Sequence, residues 1–392
     1  MTGALAGLKV LDFSTMLPGP WASLLLADMG AEVLRVEAPT RPDPVRFAQP
    51  LAGEASAWHY VLNRSKRSLA LDLKQAEGVA VVKRLVATYD IVITQVRPGV
   101  MERLGVGYEA LRAINPALIY CAITGYGQTG PYRSRAGHDN NYMALSGLMS
   151  YSGRVSEGPS PLGFQAADVG GGGMGAVMGI LAAVIARGRT GRGQFVDVSM
   201  FDMMVSWNRL GVAEQLVGGE GPVREGGVLN GGGVYDYYRT ADDRFLAVGS
   251  LEPKFWAQVC TVIERPDLLA VGLPIAPDGG RGAKEVVAAV IGERPLADWI
   301  DIFAQLDACV EPVLTVEEML AHPQTVAREL IVDVPHGEVT QPQVGLGIRF
   351  SESEPVYRHT GRAVGADSEA VLAEVGYDEE AIKRLRNEGV LG

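Results

Sequence analysis

The sequence predicts an α/β protein, with a large domain built on a parallel sheet and a smaller α+β domain following it. Three observations carry this expectation. Short apolar strands alternate with helical segments through the first half of a 392-residue chain, the rhythm of parallel strands joined by right-handed crossovers. A stretch from Gly218 to Gly233 then interrupts the pattern with eight glycines in sixteen residues. Beyond it a hairpin and several helices replace the alternation. The length allows two or three domains with real cores.

Taken in order, Leu8–Phe13 reads as the first strand, and Pro18-Gly-Pro20 turns it into a helix from Trp21 to Met29. Gly30 suits the left-handed residue that ends a helix. Glu32–Val36 is the second strand, Ser68–Asp72 the third, Asp90–Thr94 the fourth and Leu118–Thr124 the fifth. Gln75–Thr88 places Val79, Val82, Leu85 and Val86 on one helical face, and Tyr108–Ile114 is a short helix stopped before Pro116. Gln194–Met200 reads as a further strand and Asp202–Leu216 as a helix. The Gly218–Gly233 stretch reads as a linker or mobile loop. Val234–Thr240 and Arg244–Gly249 form a hairpin, with helices at Pro253–Ile263, Gly282–Ile291 and Leu296–Leu306. A helical region, Ser368–Asn387, returns to the first domain. The domain expectation is 1–200 for the large domain, 201–233 and 323–340 for linkers, 234–322 for the small domain and 341–392 for the return.

Composition narrows the function. Apolar residues make up 47% and charged residues 21%, and the formal net charge is −11. This argues against a nucleic-acid or anionic-membrane partner, and a polyanionic ligand would need a local cationic pocket. Cys121, Cys260 and Cys309 stand far apart in no C-x-x-C spacing, which excludes a disulfide framework and a cysteine zinc site and fits the cytoplasm. The start MTGALAGLKVLDFS lacks a cationic n-region. The longest apolar run, Met174–Ala186, stops at Arg187 and is too short to span a bilayer. It reads as a buried helix.

The chemistry concentrates between Ala136 and Met174. His138 and Asp139 open that stretch, and Asp168, followed by Val169 and then Gly170–Gly173, closes it. An imidazole, a carboxyl group and backbone N–H groups left uncovered by glycines at the start of an apolar helix, where negative charge is favoured, suit proton abstraction beside a carbonyl. The plainer reading is a helix cap and a close-packed loop. Gly170–Gly175 also matches G-x-G-x-x-G, but it does not close the first strand of a βαβ unit and no acid lies about twenty positions on. A dinucleotide fingerprint is therefore rejected. Arg64, Lys66 and Arg67, in a predicted loop between the second and third strands, form the candidate phosphate pocket, helped by Arg35 and Arg97. The alternative is a solvated loop.

Several motifs agree. LKVLDFSTMLPGPWASLLLADMGAEVLRVE, NRSKRSLALDL, RPGVMERLG, TGYGQTGPY, AGHDNNYMALSG, ADVGGGGM and VGSLEPKFW resemble the class III CoA-transferase (CaiB/BaiF) family, and within it most of all the α-methylacyl-CoA racemases. The resemblance runs the length of the chain. It implies a Rossmann-like large domain built from both chain ends, two interlocked copies of the chain, and an acyl-CoA thioester substrate with no metal or other cofactor. It places CoA against Arg35, Lys66, Arg67, Arg97, Leu104, Gly137 and Tyr142. His138 is then one base, supported by Glu252, and Asp168 the other, with the Asp139 backbone N–H meeting the thioester oxygen. Two alternatives remain: a CoA transferase using Asp168 as nucleophile, with Gly231–Gly233 as a flap over the site, and a non-catalytic CoA-ester binder. The sequence does not specify the acyl group.

Overall fold

The structure, a computed structural model, describes residues 3–273 and 279–392. These form two compact units. Residues 1–143, 163–206 and 326–392 make the first, and residues 144–162 with 207–325 the second.

The main sheet of the first unit has six strands: β1 (Lys9–Asp12), β2 (Glu32–Glu37), β3 (Lys66–Ala70), β4 (Ile91–Thr94), β5 (Ile119–Thr124) and β6 (Phe195–Ser199). All pair in parallel, in the order β3-β2-β1-β4-β5-β6. Every residue of β4 and β5 is buried, as expected where helices cover both faces of a sheet. Strand order reverses between β1 and β4, so a crevice opens at their carboxyl ends, the place where such sheets take ligands.

Helix α1 (Pro18–Asp28) starts three residues earlier than expected. The prolines belong to its first turn, where a missing N–H loses no bond and the fixed φ suits the helix. The core of this unit joins Leu11, Leu34, Leu69, Val82, Val92 and Tyr120 to Val371, Leu372 and Leu385. The large domain is thus built from both chain ends. The C-terminal region is two helices, Ser368–Glu374 and Glu379–Asn387; Gly376, at φ +85°, lies between them.

Two local expectations are corrected. The basic stretch is not a surface loop: Lys66 and Arg67 open β3, and Arg64 and Lys66 are buried. The glycine run opens a helix, and the loop of the plainer reading is not found. Ala166–Met174 is a π-helical segment that continues into α3 (Gly175–Thr190), with α2 (Asp139–Leu145) preceding it and α4 (Met200–Trp207) following. A Cβ at Gly172 would lie 2.8 Å from Pro18 Cβ, and one at Gly173 2.9 Å from Trp21 Cδ1. The glycines let α1 and α4 approach a helix backbone, and their N–H groups do not line an open loop. Ala166–Thr190 is long and apolar enough to cross a membrane by length and composition, with half of its most apolar stretch buried in the fold. Met174, Met178 and Ile185 are nevertheless exposed.

The second unit has an antiparallel sheet of β7 (Asp236–Arg239), β8 (Phe245–Val248) and β9 (Val310–Pro312), in the order β9-β8-β7. Its core gathers Tyr238, Leu246, Trp256, Val259, Val287, Ile291 and Trp299 from these strands and from Pro253–Val262, Arg281–Ile291 and Leu296–Phe303. The glycine-rich stretch is tied down within this unit. Asn230 donates to the carbonyls of Tyr151 and Val223, Arg224 to those of Met149 and Ser152, and Lys284 to that of Gly231. Gly231–Gly233 are buried.

Candidate active site

A cavity of about 530 Å³ opens where the sheet topology places it. Met16, Leu17 and Pro18 line it after β1, Gln95, Val96, Arg97 and Pro98 after β4, and Gly125 and Tyr126 after β5. Gly137, His138, Tyr142 and Asp168 complete one wall. The cavity therefore brings together His138, Asp168, Arg97, Gly137 and Tyr142 from the expected set.

The wall is built locally. His138 precedes α2, and its backbone N–H donates to Asn141 Oδ1 at 3.0 Å while its carbonyl accepts from the N–H of Asn141. Its imidazole is exposed. The Tyr142 hydroxyl donates to the Gly137 carbonyl at 2.6 Å, and its ring packs edge-on against Tyr126. A Cβ at Gly125 or Gly137 would lie 2.7 Å from the Tyr142 ring, so both glycines are needed for that ring to sit there. Burial pushes the Tyr142 phenol up to about 12, and Asp168 contributes.

Asp168 stands in the first turn of the π-helical segment, half-buried. Loss of water pushes its carboxyl up to about 6; the Asp139 charge adds to the rise and His138 opposes it. At that value roughly one molecule in ten carries the proton at pH 7, against fewer than about one in a thousand for an ordinary aspartate. The Asp139 carboxylate accepts the backbone N–H groups of Ala167 and Asp168 through one oxygen, at 2.6 and 3.0 Å. Among the described residues no acceptor takes the Asp139 N–H itself, as expected at the start of a helix.

The expected phosphate cations lie elsewhere. Lys66 Nζ donates to the Pro20 carbonyl at 2.9 Å and to Asn63 Oδ1 at 3.1 Å, and sits 3.5 Å from Asp12. Arg35 is buried, 2.5 Å from Asp43. Arg67 makes a two-point pair with Glu374 at 2.9 and 2.8 Å. None of the three lines the cavity. Lys66 and Arg67 are held by neighbouring acids, whereas Arg35, paired with Asp43 through one nitrogen, keeps Nε and Nη1 buried without a hydrogen-bond partner among the described residues. The cavity's cations are Arg97, Arg133 and Arg135, all exposed. Leu104 lines a separate groove of about 460 Å³ with Lys74, Lys83 and Arg103. Among the described residues none of these three cations has a carboxylate partner, so the groove is locally cationic in an acidic chain. The sequence reading missed Arg133, Arg135, Lys74, Lys83 and Arg103. The first two follow directly from β5, so the rule that ligands meet strand carboxyl ends would have found them.

Glu252 belongs to the second unit. It is exposed and precedes Pro253–Val262 without a side-chain capping bond. Among the described residues no cluster of metal-binding side chains occurs.

Comparison with known proteins places this geometry. Residues 5–368 match the family described as CoA-transferase family III. The chain is 37% identical to the alpha-methylacyl-CoA racemase of Homo sapiens over 394 residues, covering 99% of this chain and 97% of that one. It is 35% identical to the succinate–glutarate CoA-transferase of Agrobacterium fabrum over 386 residues, covering 95% of each. The crystal structure of a CAIB/BAIF family protein from Brucella suis superposes with a TM-score of 0.83 at 29% identity, covering 96% of this chain and all of that one.

Proposed function

The chain belongs to CoA-transferase family III, and we propose that within it this protein racemises 2-methylacyl-CoA thioesters by moving a proton off and onto the carbon beside the thioester. The observation that supports this reading best is one cavity holding an exposed imidazole and a carboxyl pushed up to about 6. The two groups suit opposite tasks at neutral pH. A ring nitrogen of His138 can accept a proton, and Asp168 is available as an acid. A proton beside a thioester is only weakly acidic, so the enolate oxygen needs a donor, and losing one such donor typically costs about 10²–10³ in rate. The free N–H of Asp139 is that donor. One proton site on each face of a planar enolate inverts the centre.

The remaining parts of the reading rest on charge and exposure. The cationic groove at Lys74, Lys83 and Arg103 takes the CoA phosphates, and Leu104 lies against the same end of the ligand. Glu252 of a second copy orients His138, in an interlocked homodimer. The exposed Met174, Met178 and Ile185 are the apolar surface that the second copy covers.

A second reading is favoured by the curated transferase at 35% identity. There Asp168 would attack the thioester carbonyl as a nucleophile. That role needs Asp168 alone, whereas the racemase reading also uses the His138 imidazole of the same cavity, which is why the racemase is preferred. The test is incubation of one enantiomer of a 2-methylacyl-CoA in D₂O without an acceptor acid. A racemase incorporates deuterium and inverts configuration, and His138→Ala and Asp168→Ala each abolish inversion. Hydroxylamine trapping of an acyl-aspartate, without exchange in the parent protein, would overturn the reading and leave the family standing.

A further inference from the structure

The mechanism above uses only the backbone of Asp139, yet its side chain is committed. One carboxylate oxygen accepts the N–H groups of both Ala167 and Asp168. The π-helical segment has no capping side chain of its own: its N-cap residue, Gln165, makes no such bond. A residue adjacent to the candidate base therefore caps, from another element, the first turn that carries the candidate acid. We propose that the Asp139 carboxylate is a positioning residue, which fixes Asp168 relative to His138 and biases the proton toward Asp168. This rests on the two-base reading for its catalytic consequence, but not for its structural content.

The geometry makes the clamp effective. His138 and Asp139 are consecutive, and the His138 N–H is itself fixed by Asn141. A two-bond attachment from Asp139 therefore transfers the position of one reacting group to the other through a single side chain. Such control is kinetically large, since a misplacement of about 1 Å costs on the order of 10² in rate. The negative charge contributes separately, because a neighbouring carboxylate disfavours ionisation of Asp168, and burial pushes Asp168 in the same direction. The other groups facing Asp168 do not duplicate this. His138 opposes it, and Tyr142 on α2 is a neutral phenol near neutral pH. The π-helical segment is packed by Pro18 and Trp21 from α1 and by Met200, Met203 and Met204 from α4, none of which titrates. Arg97, Arg133 and Arg135 line the same cavity, but none of them is among the charges that shift Asp168.

Two variants separate position from charge. Asp139→Asn retains an oxygen that accepts both N–H groups and removes the charge. Asp139→Ala removes both. The first readout needs no substrate: carboxyl ¹³C NMR titration of Asp168 in the unliganded protein. In Asp139→Asn its midpoint moves below that of the parent while remaining above an ordinary aspartate, because burial persists. The second readout is the pH profile of kcat/KM. Its acid limb moves to lower pH in Asp139→Asn, with kcat at neutral pH falling about tenfold per pH unit of that movement and KM little changed. Both directions of racemisation fall together, because their ratio is fixed by the equilibrium. Asp139→Ala falls further, on the order of 10²-fold, so Asn recovers part of the loss. An unchanged Asp168 titration in Asp139→Asn overturns the charge assignment. Equal activity of the Ala and Asn variants overturns the clamp. If the parent protein shows no racemisation, the functional reading fails while the NMR titration still decides the charge assignment.

Discussion

Asp168→Asn should abolish racemisation and stabilise the protein at neutral pH. The two effects have one cause. Asp168 titrates at about 6 in the fold against 3.8 in an ordinary setting, so the native state disfavours its ionised form. For an acid with a raised folded value, the native state holds more protons than the unfolded chain between roughly pH 4 and 6. Stability therefore falls as pH rises through that window and stays lowered above it. The difference corresponds to about 3 kcal/mol if fully realised, and solvent reaching a half-buried group roughly halves it. Asparagine cannot ionise and escapes the penalty. We expect Asp168→Asn to be more stable than the parent by about 1–2 kcal/mol at pH 7.5, with the gain vanishing near pH 4. Urea unfolding at fixed protein concentration measures this, with the exchange assay run alongside. A variant that is equally stable at pH 7.5, or whose gain does not depend on pH, would refute the strained-acid argument.

Three further outcomes follow from the same structure. Lys66→Met should cost about 3 kcal/mol in urea unfolding, because it strips the Asp12 carboxylate, the Pro20 carbonyl and Asn63 of a buried partner; calorimetry with CoA should show affinity little changed in the folded fraction. Lys74→Ala with Lys83→Ala should instead leave stability within about 0.5 kcal/mol. That pair should weaken CoA-ester binding roughly tenfold at low salt, with a smaller loss at high salt as the charges are screened. Sedimentation on dilution should give no folded monomer before unfolding, and a folded, active monomer would contradict the interlocked dimer.

The strands were legible in the sequence because each is a short apolar run bounded by turn residues, and parallel burial removes any competing polar pattern. The antiparallel hairpin at Asp236–Arg239 and Phe245–Val248 was legible instead from the turn residues Ala241-Asp242-Asp243 between its strands. Helix limits were less so. Pro18 and Pro20 read as a break but sit in the first turn of α1. Gly170–Gly173 left a loop open as the alternative to a helix start, because glycine disfavours helix in isolation by about 1 kcal/mol per residue. Here close packing against Pro18, Trp21 and Met200 outweighs that preference, and no local pattern records a contact between segments 150 residues apart.

The site divides along the same line. His138, Asp168, Gly137, Tyr142 and Arg97 share one cavity beyond the strand ends, three of them from loops, Tyr142 from α2 and Asp168 from the π-helical segment. The misplaced cations came from reading charge without burial. Lys66 looks free in sequence, but Asp12, already accepting the Ser14 N–H and the Ser14 and Ser23 hydroxyls, lies two strands away across β2 and within 3.5 Å. Arg64 likewise meets Asp28 through two bonds of 2.9 and 2.6 Å. In a chain with 46 acidic and 35 basic residues, a cation inside the sheet is met by an acid, and only those on the rim stay available to a polyanion. The glycine run shows the converse. The preference of a helix start for negative charge was read correctly from the sequence, but the anion that satisfies it is Asp139 of the same chain. Among the described residues the Asp139 N–H has no acceptor and the clamp does not consume it, which leaves it available to the proposed enolate oxygen.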